Sequence, residues 1–299
     1  MGLLDTIRRR QQQFVSMVKG IRRLREDAAF IRQALGRIEA RQTTDACTLA
    51  ASEFKVSSQW GEDGILQFLI RHITVPRTIF VEFGVQDYTE SNTRFLLSNN
   101  NWSGLVLDGS EENIRHICQD TIYWRHNLKA VRAFITRENI DDLLTSAGLA
   151  GEIGLLSVDI DGVDYWVWEA ITVVQPAIVV AEYNSLFGAE RAVTVPYDAA
   201  FVRSEKHHSN LYYGASLSAL VRLANRKGMA FVGTNSAGNN AFFVRRELLV
   251  PPMREITAAE GFTQRKFREG RNETGELSYL SAEQEAALIA SLALVEIHP

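Results

Sequence analysis

The sequence predicts an α/β protein with a Rossmann-like, mostly parallel seven-stranded sheet that ends in an antiparallel hairpin, preceded by an N-terminal coiled-coil helix. Three observations predict it. From residue 54 onward, short and nearly continuous apolar runs alternate with segments of helical spacing, as a parallel sheet covered on both faces requires. The last two runs are joined by a polar turn too short for a crossover helix, so they must pair antiparallel. Ahead of all of these lies an apolar heptad repeat.

The heptad runs through Phe14, Met17, Ile21, Leu24, Ala28, Ile31, Leu35 and Ile38, with spacings that alternate three and four residues. A helix with only this stripe must bury it against a partner, most simply another copy of the chain. The alternatives are packing on its own body, or lying on an anionic membrane with Arg8 to Arg10 near the headgroups. Residues Met1 to Thr6 also match the loose N-myristoylation pattern. Residues 1–42 hold ten Lys/Arg against four Asp/Glu, whereas the rest holds 22 against 32, so a net charge of -4 conceals two units of opposite sign. Residues 43–53 lose the period and read as a linker.

Strand-like runs follow at 78–83, 104–108, 130–134, 154–158 and 177–181. Helices are expected over 62–73, 90–99 and 111–119, and from about Thr136 to Ala147. A helix over 216–226 leads to the final pair, 229–233 and 240–244, which closes a body of residues 54–250. Residues 251–299 read as a mostly helical extension, with 282–294 the strongest segment and no chemistry of its own. Two cysteines, Cys47 and Cys118, exclude a disulfide framework and a four-thiolate zinc site. No apolar run approaches the ~20 residues of a membrane helix, and no apolar region follows the start, so a cytoplasmic chain is expected. The acidic body argues against nucleic acid as a partner. There is no P-loop, HExxH or serine-hydrolase elbow.

Ligands of doubly wound sheets lie beyond the carboxyl ends of the strands. The first strand ends in Glu82-Phe83-Gly84-Val85-Gln86-Asp87, where Gly84 permits close backbone approach and Glu82 and Asp87 offer carboxylates to an ammonium group. The second ends in Asp108, 26 residues beyond Glu82, suited to both hydroxyls of a ribose. A nucleoside site is therefore expected. The fourth strand ends in Asp159-Ile160-Asp161 and the fifth in Glu182-Tyr183-Asn184. Such an oxygen-rich, thiol-free set suits a hard cation, with Asp161, Glu182 and either Asp159 or Asn184 as ligands. A divalent ion there binds two vicinal hydroxyls and lowers the pKa of one. Without it, the same carboxylates, Asp161 among them, serve as general bases or bond substrate hydroxyls. Residues 189–214 form a polar, aromatic insertion suited to a sugar, and His207 or His208 is a candidate base.

Five βα units closing in a hairpin resemble the class I S-adenosylmethionine (SAM) methyltransferase fold. The chain is more specifically similar to the FkbM-like group of those enzymes. The likeness is carried by Ser58-Gln59-Trp60-Gly61-Glu62-Asp63-Gly64, by Val81-Glu82-Phe83-Gly84 with Glu90-Ser91-Asn92-Thr93, and by Asn101-Trp102-Ser103-Gly104-Leu105-Val106-Leu107-Asp108. Tyr213-Gly214-Ala215-Ser216 and Asn239-Asn240-Ala241-Phe242-Phe243 also fit. The resemblance implies SAM as cofactor, with Glu82, Gly84 and Asp108 touching it and Gln59, Asn92 and Thr93 near its carboxylate. The family's first loop usually has a second glycine, whereas Gln86-Asp87-Tyr88 follow Gly84 here. The implied activity is O-methylation of a sugar hydroxyl of a surface glycan, aided by Mg²⁺ or Mn²⁺. Two rival readings are an oligomeric scaffold on a degenerate methyltransferase fold, and a metal-dependent glycosyltransferase using Asp159-x-Asp161.

Overall fold

Parallel strands without exposed faces need apolar side chains on both sides, and the computed structural model, which describes residues 3–298, places the predicted runs accordingly. β1 (Ile79–Phe83), β2 (Ser103–Asp108), β3 (Leu128–Arg132), β4 (Gly151–Val158) and β5 (Val174–Glu182) run parallel in the order β3-β2-β1-β4-β5. A short β6 (Val193–Thr194) leaves the sheet. β7 (Met229–Thr234) and β8 (Asn240–Arg245) return as the expected hairpin, with β8 antiparallel to β5. The sheet thus has seven strands and the order of the class I methyltransferase fold. β6 pairs with β9 (Val295–Glu296), which ties the end of the chain to the insertion after β5.

Alternate residues of each strand feed two cores. Phe80, Val106, Leu155 and Ile178 face α3 (Glu62–His72) and α4 (Arg94–Asn100), which follow α1 (Leu3–Gln42) and α2 (Leu49–Ser52). α5 (Glu111–Gln119) and α6 (Thr121–Arg125) extend that layer. Val81, Leu107, Leu156 and Val179 face α7 (Ile140–Ser146), α8 (Asp164–Ala170) and, beyond a short α9 (Arg203–Lys206), α10 (Leu217–Arg226). α11 (Ala258–Gly261) and α12 (Ala282–Ile289) are short helices of the C-terminal extension. No helix among the described residues is long and apolar enough to cross a membrane. Met1 and Gly2, on which the myristoylation pattern turns, lie outside the described residues.

Several limits depart from the sequence expectation: β4 and β5 each begin three residues early, α7 begins at Ile140 and not at Thr136, and the expected linker holds α2. β3 begins two residues earlier than its apolar run, because on this half-exposed edge strand pairing with β2 sets the limits. The helix expected over 90–99 starts only at Arg94, since Asn92 and Thr93 donate their backbone N–H groups to Glu82 instead. The extension is mostly irregular, not helical. Its backbone bonds to the body: Arg265 N–H to Ser185 Oγ, Lys266 N–H to the Ala237 carbonyl, and Ile297 N–H to the Ala192 carbonyl.

The start of α3 is the tightest knot. One oxygen of Asp63 accepts from the N–H groups of Val56, Ser57 and Ser58 at 2.7–2.8 Å, and burial pushes its pKa up to about 6. Glu62 accepts from the side-chain amides of Asn235 and Asn240, at 2.7 and 2.9 Å, and from Trp60 N–H, so it ties the loop to the β7–β8 turn. Gly64 permits the close crossing, because a Cβ there would lie 1.9 Å from the Ser52 carbonyl oxygen. Gly64→Ala should therefore cost about 3 kcal/mol in denaturant unfolding, as backbone must move. A near-neutral result would show that α3 does not abut residues 52–54.

Candidate active site

The carboxyl ends of β1, β2, β4 and β5 open into two adjoining cavities. One, of about 210 Å³, is lined by Gly84, Gln86, Asp108, Phe134, Ile160 and Asp161 among others. The other, of about 250 Å³, is strongly polar, with Gln59, Glu82, Asn92, Asp159, Glu182 and Arg203 in its wall. A larger cavity of about 640 Å³ lies at the opposite edge of the sheet, away from these strand ends.

Gly84 has a left-handed backbone (φ 67°), and a Cβ on it would sit 1.8 Å from the Asp159 carbonyl oxygen. The first loop therefore crosses β4 at backbone contact, which only glycine permits. Where a second glycine is usual, Gln86 and Tyr88 themselves take positive φ (49° and 63°). Tertiary bonds hold them there: Gln86 N–H donates to Asp108 Oδ2 at 2.8 Å, and the Tyr88 hydroxyl meets Thr93 Oγ1 at 2.9 Å. Asp108 Oδ1 accepts from Ser110 N–H and Asn113 Nδ2. With roughly four acceptor positions on a carboxylate, one remains for a ligand.

Glu82 is committed to structure. Its oxygens accept from Asn92 N–H (2.7 Å), Thr93 N–H (3.1 Å) and Thr93 Oγ1 (2.5 Å), and burial pushes its pKa up to about 7. It holds the loop that presents Asn92 to the cleft. Thr93 is fully buried beneath that loop, and Asp87 closes a turn by accepting from Thr89. Neither Thr93 nor Asp87 reaches the cavities, which corrects their expected place beside a cofactor. Gln59 does reach, and accepts from Asn239 Nδ2 at 3.5 Å.

Carboxylate oxygens of Asp159, Asp161 and Glu182 lie within 4.8 Å of one another. Desolvation, then the charges of Asp159 and Asp161, hold Glu182 well above the ordinary carboxylate range. Asp159 is raised by desolvation and by Asp161 and Asp164. Glu182 Oε2 is buried with no hydrogen-bond partner. An oxygen-only cluster with an unpaired buried acceptor fits a divalent cation. Asp164 shapes the loop by accepting from the N–H groups of Ile160 and Gly162, and Asp161 takes a positive φ of 56° between them.

Asn184 does not join the cluster. Its amide donates to the Leu211 and Tyr213 carbonyls and its oxygen accepts from Leu186 N–H, so three of its four hydrogen-bonding positions go to the backbone around the insertion. His207 and His208 also stand apart. Their rings pack on each other at 4.3 Å, His207 Nδ1 meets Ser209 Oγ at 2.7 Å, and neither lines the cleft. A base must reach the proton it takes, and neither histidine expected in that role is in the wall of either cavity.

The insertion instead contributes Arg203, which the sequence did not single out. Its guanidinium lies over the Tyr213 ring at 3.5 Å and pairs with Asp161 and with Glu269, the latter at 2.6 Å. Glu269 and Phe267 come from the C-terminal extension, for which no chemistry is expected from sequence, and Phe267 stacks on Trp60 (5.2 Å between centroids, 25°) at the rim. The long insertion was a signal for Arg203. No local pattern marks Phe267 or Glu269.

No family model matches the chain, and no curated protein does. Among solved structures, it is similar to the N-terminal domain of EvdMO1 with SAH bound, at 13% identity and a TM-score of 0.40, over 71% of this chain and 94% of that one. It is also similar to an O-methyltransferase family protein from Burkholderia thailandensis (11%, 0.40, 72% and 59%). A third is an S-adenosylmethionine-dependent methyltransferase from Clostridium acetobutylicum (8%, 0.39, 61% and 89%). Likenesses this low say nothing of substrate or activity.

The pKa of Glu82 sets a testable pH dependence. The folded carboxyl holds its proton more tightly than the unfolded one, so its stabilising contribution is complete below about pH 4.5 and is lost as pH rises through about 7. Glu82→Gln should remove that part of the decline. Wild-type stability relative to the variant should fall by on the order of 3 kcal/mol from acid to alkaline pH in denaturant titrations. A difference that stays flat with pH would mean an ordinary carboxyl.

Proposed function

We propose that this chain is a SAM-dependent O-methyltransferase that methylates a sugar hydroxyl, of a surface glycan, with a divalent cation held by Asp159, Asp161 and Glu182. One observation carries the reading. A nucleoside-type end, Gly84 with Asp108, and an oxygen cluster from β4 and β5 face each other across one cleft in a sheet of this strand order. The glycan assignment follows from the FkbM-like resemblance and from the amide and aromatic side chains at the cleft.

Each part of the site has a task. Asp108, fixed by three donors, offers its remaining acceptor position to the ribose. Phe134, Ile160 and Phe201 supply apolar walls for a flat base. Gln59 and Asn92 lie where polar groups of the amino-acid end would be met. Phe267, backed by Trp60, presents a ring face to the C–H side of a sugar and keeps water from the rim. Bound SAM supplies an electrophilic methyl group, and the cation supplies the Lewis acidity that makes a hydroxyl a better nucleophile. Arg203 pins Asp161 and limits the uncompensated charge.

Two measurements test this. Calorimetry with S-adenosylhomocysteine should detect binding that Asp108→Asn weakens about tenfold or more, or ~1.4 kcal/mol. No binding to wild type at millimolar ligand with Mg²⁺ present would leave the scaffold reading. For the cation, Mn²⁺ should raise the melting temperature of the wild type and not of Glu182→Gln. The variant without metal should melt above the metal-free wild type, because it removes a raised, unpartnered carboxylate. An equal Mn²⁺ response in both would remove Glu182 from the ligand set.

A further inference from the structure

We propose that α1 joins two copies of this chain as a parallel, in-register coiled coil. The observation is which face of the helix the body uses. At its C-terminal end α1 docks through Gly36, where a Cβ would lie 2.3 Å from Val56 Cγ2. Arg71 fastens that end by donating to the Ala40 and Thr43 carbonyls at 2.5 and 3.1 Å. The heptad residues beside this contact point elsewhere: Leu35 and Ile38 are 56% and 49% exposed. Further out, Leu24 is 70% and Ile31 57% exposed. The body thus takes one face and leaves the whole seam from Phe14 to Ile38 open. That answers the sequence alternative of a helix packing its stripe on its own body.

A bare stripe of this length in water is unstable on its own, since helices gain most of their stability from a buried face. Its chemistry selects the partner. With Phe14, Ile21, Ala28 and Leu35 at the first heptad position and Met17, Leu24, Ile31 and Ile38 at the fourth, Asp27 falls at the seventh and Arg32 at the fifth of the next heptad. In a parallel, in-register pair these positions meet across the seam, so Asp27 of each helix faces Arg32 of the other, twice by symmetry. Ala28 between them lets the backbones approach. A bilayer fits less well: the flanks of the stripe carry Asp27 and Glu39 against Arg25 and Arg32 and so offer anionic lipid no net charge, while Lys19 lies on the side opposite the seam. The helix spans 40 residues, about 60 Å, and its N-terminal part extends beyond its contact with the body.

Light scattering of the full chain at micromolar concentration should return twice its 33.6 kDa. Leu24→Glu with Ile31→Glu should return the single-chain mass with the melting of the body unchanged, as neither residue touches it. Asp27→Arg should weaken the dimer, and Asp27→Arg with Arg32→Asp should restore it. A wild type at single-chain mass, or a mass that the double glutamate variant leaves unchanged, overturns the proposal. So does a charge swap that fails to restore the dimer, which removes the parallel register. A single-chain species that sediments with phosphatidylserine vesicles would assign the stripe to a bilayer instead.

Discussion

The cleft depends on an excess of negative charge gathered at its strand ends, buried at Glu182 and open to solvent at Asp161. Arg203 pairs with Asp161 and Glu269, and its charge also acts on Asp159 and Glu182. Carboxylates this close, two of them desolvated, must share a proton, a cation or a guanidinium. The surrounding structure follows from that need. Arg203 is brought in by the insertion, held by its Nε bond to the Asn210 carbonyl at 2.6 Å, and laid on the Tyr213 ring. Glu269, its second partner, is in turn paired with the buried Arg265, and Arg265 with the buried Glu285 of α12. Charges of alternating sign thus run from the cleft into the extension and fix it against the body.

The strings that carry the family resemblance likewise do not give every residue to a ligand. In Ser58-Gln59-Trp60-Gly61-Glu62-Asp63-Gly64, the two acids are consumed by the fold: Asp63 gathers the backbone of 56–58 and Glu62 clamps the β7–β8 turn. Their effect on the site is to deliver Gln59 to the cleft wall and Trp60 to its rim. Glu82 likewise acts through the loop it organises. The first loop shows the reverse case, in which tertiary bonds and not glycines hold Gln86 and Tyr88 in left-handed conformations.

Most of the sheet could be read in advance, because strands buried on both faces leave continuous apolar runs and the hairpin leaves a turn too short to cross over. The limits of the edge strand β3 and of the helix after β1, like the starts of β4, β5 and α7, differ from those of the sequence pattern, because pattern alone does not fix where a tertiary partner ends an element. In the site, Gly84, Asp108, Asp159, Asp161 and Glu182 could be read from their positions at strand ends. Asn184 and the two histidines could not be separated from them, because residue type and proximity in the chain do not show where a side chain spends its hydrogen bonds.

The sequence by itself determined the succession of parallel strands and the closing hairpin, the carboxylates placed at the strand ends, and the periodic stripe of α1. These are local or periodic properties, written in patterns of two, of three to four, and of strand against turn. Only the tertiary structure decided that Arg203, Phe267 and Glu269 meet at the cleft, that Thr93 and Asp87 do not, and that the body of the protein leaves the heptad seam open. Those outcomes depend on which of several nearby polar groups completes a buried bond, and on which face of a helix a distant loop covers. Neither is encoded in any single stretch of chain.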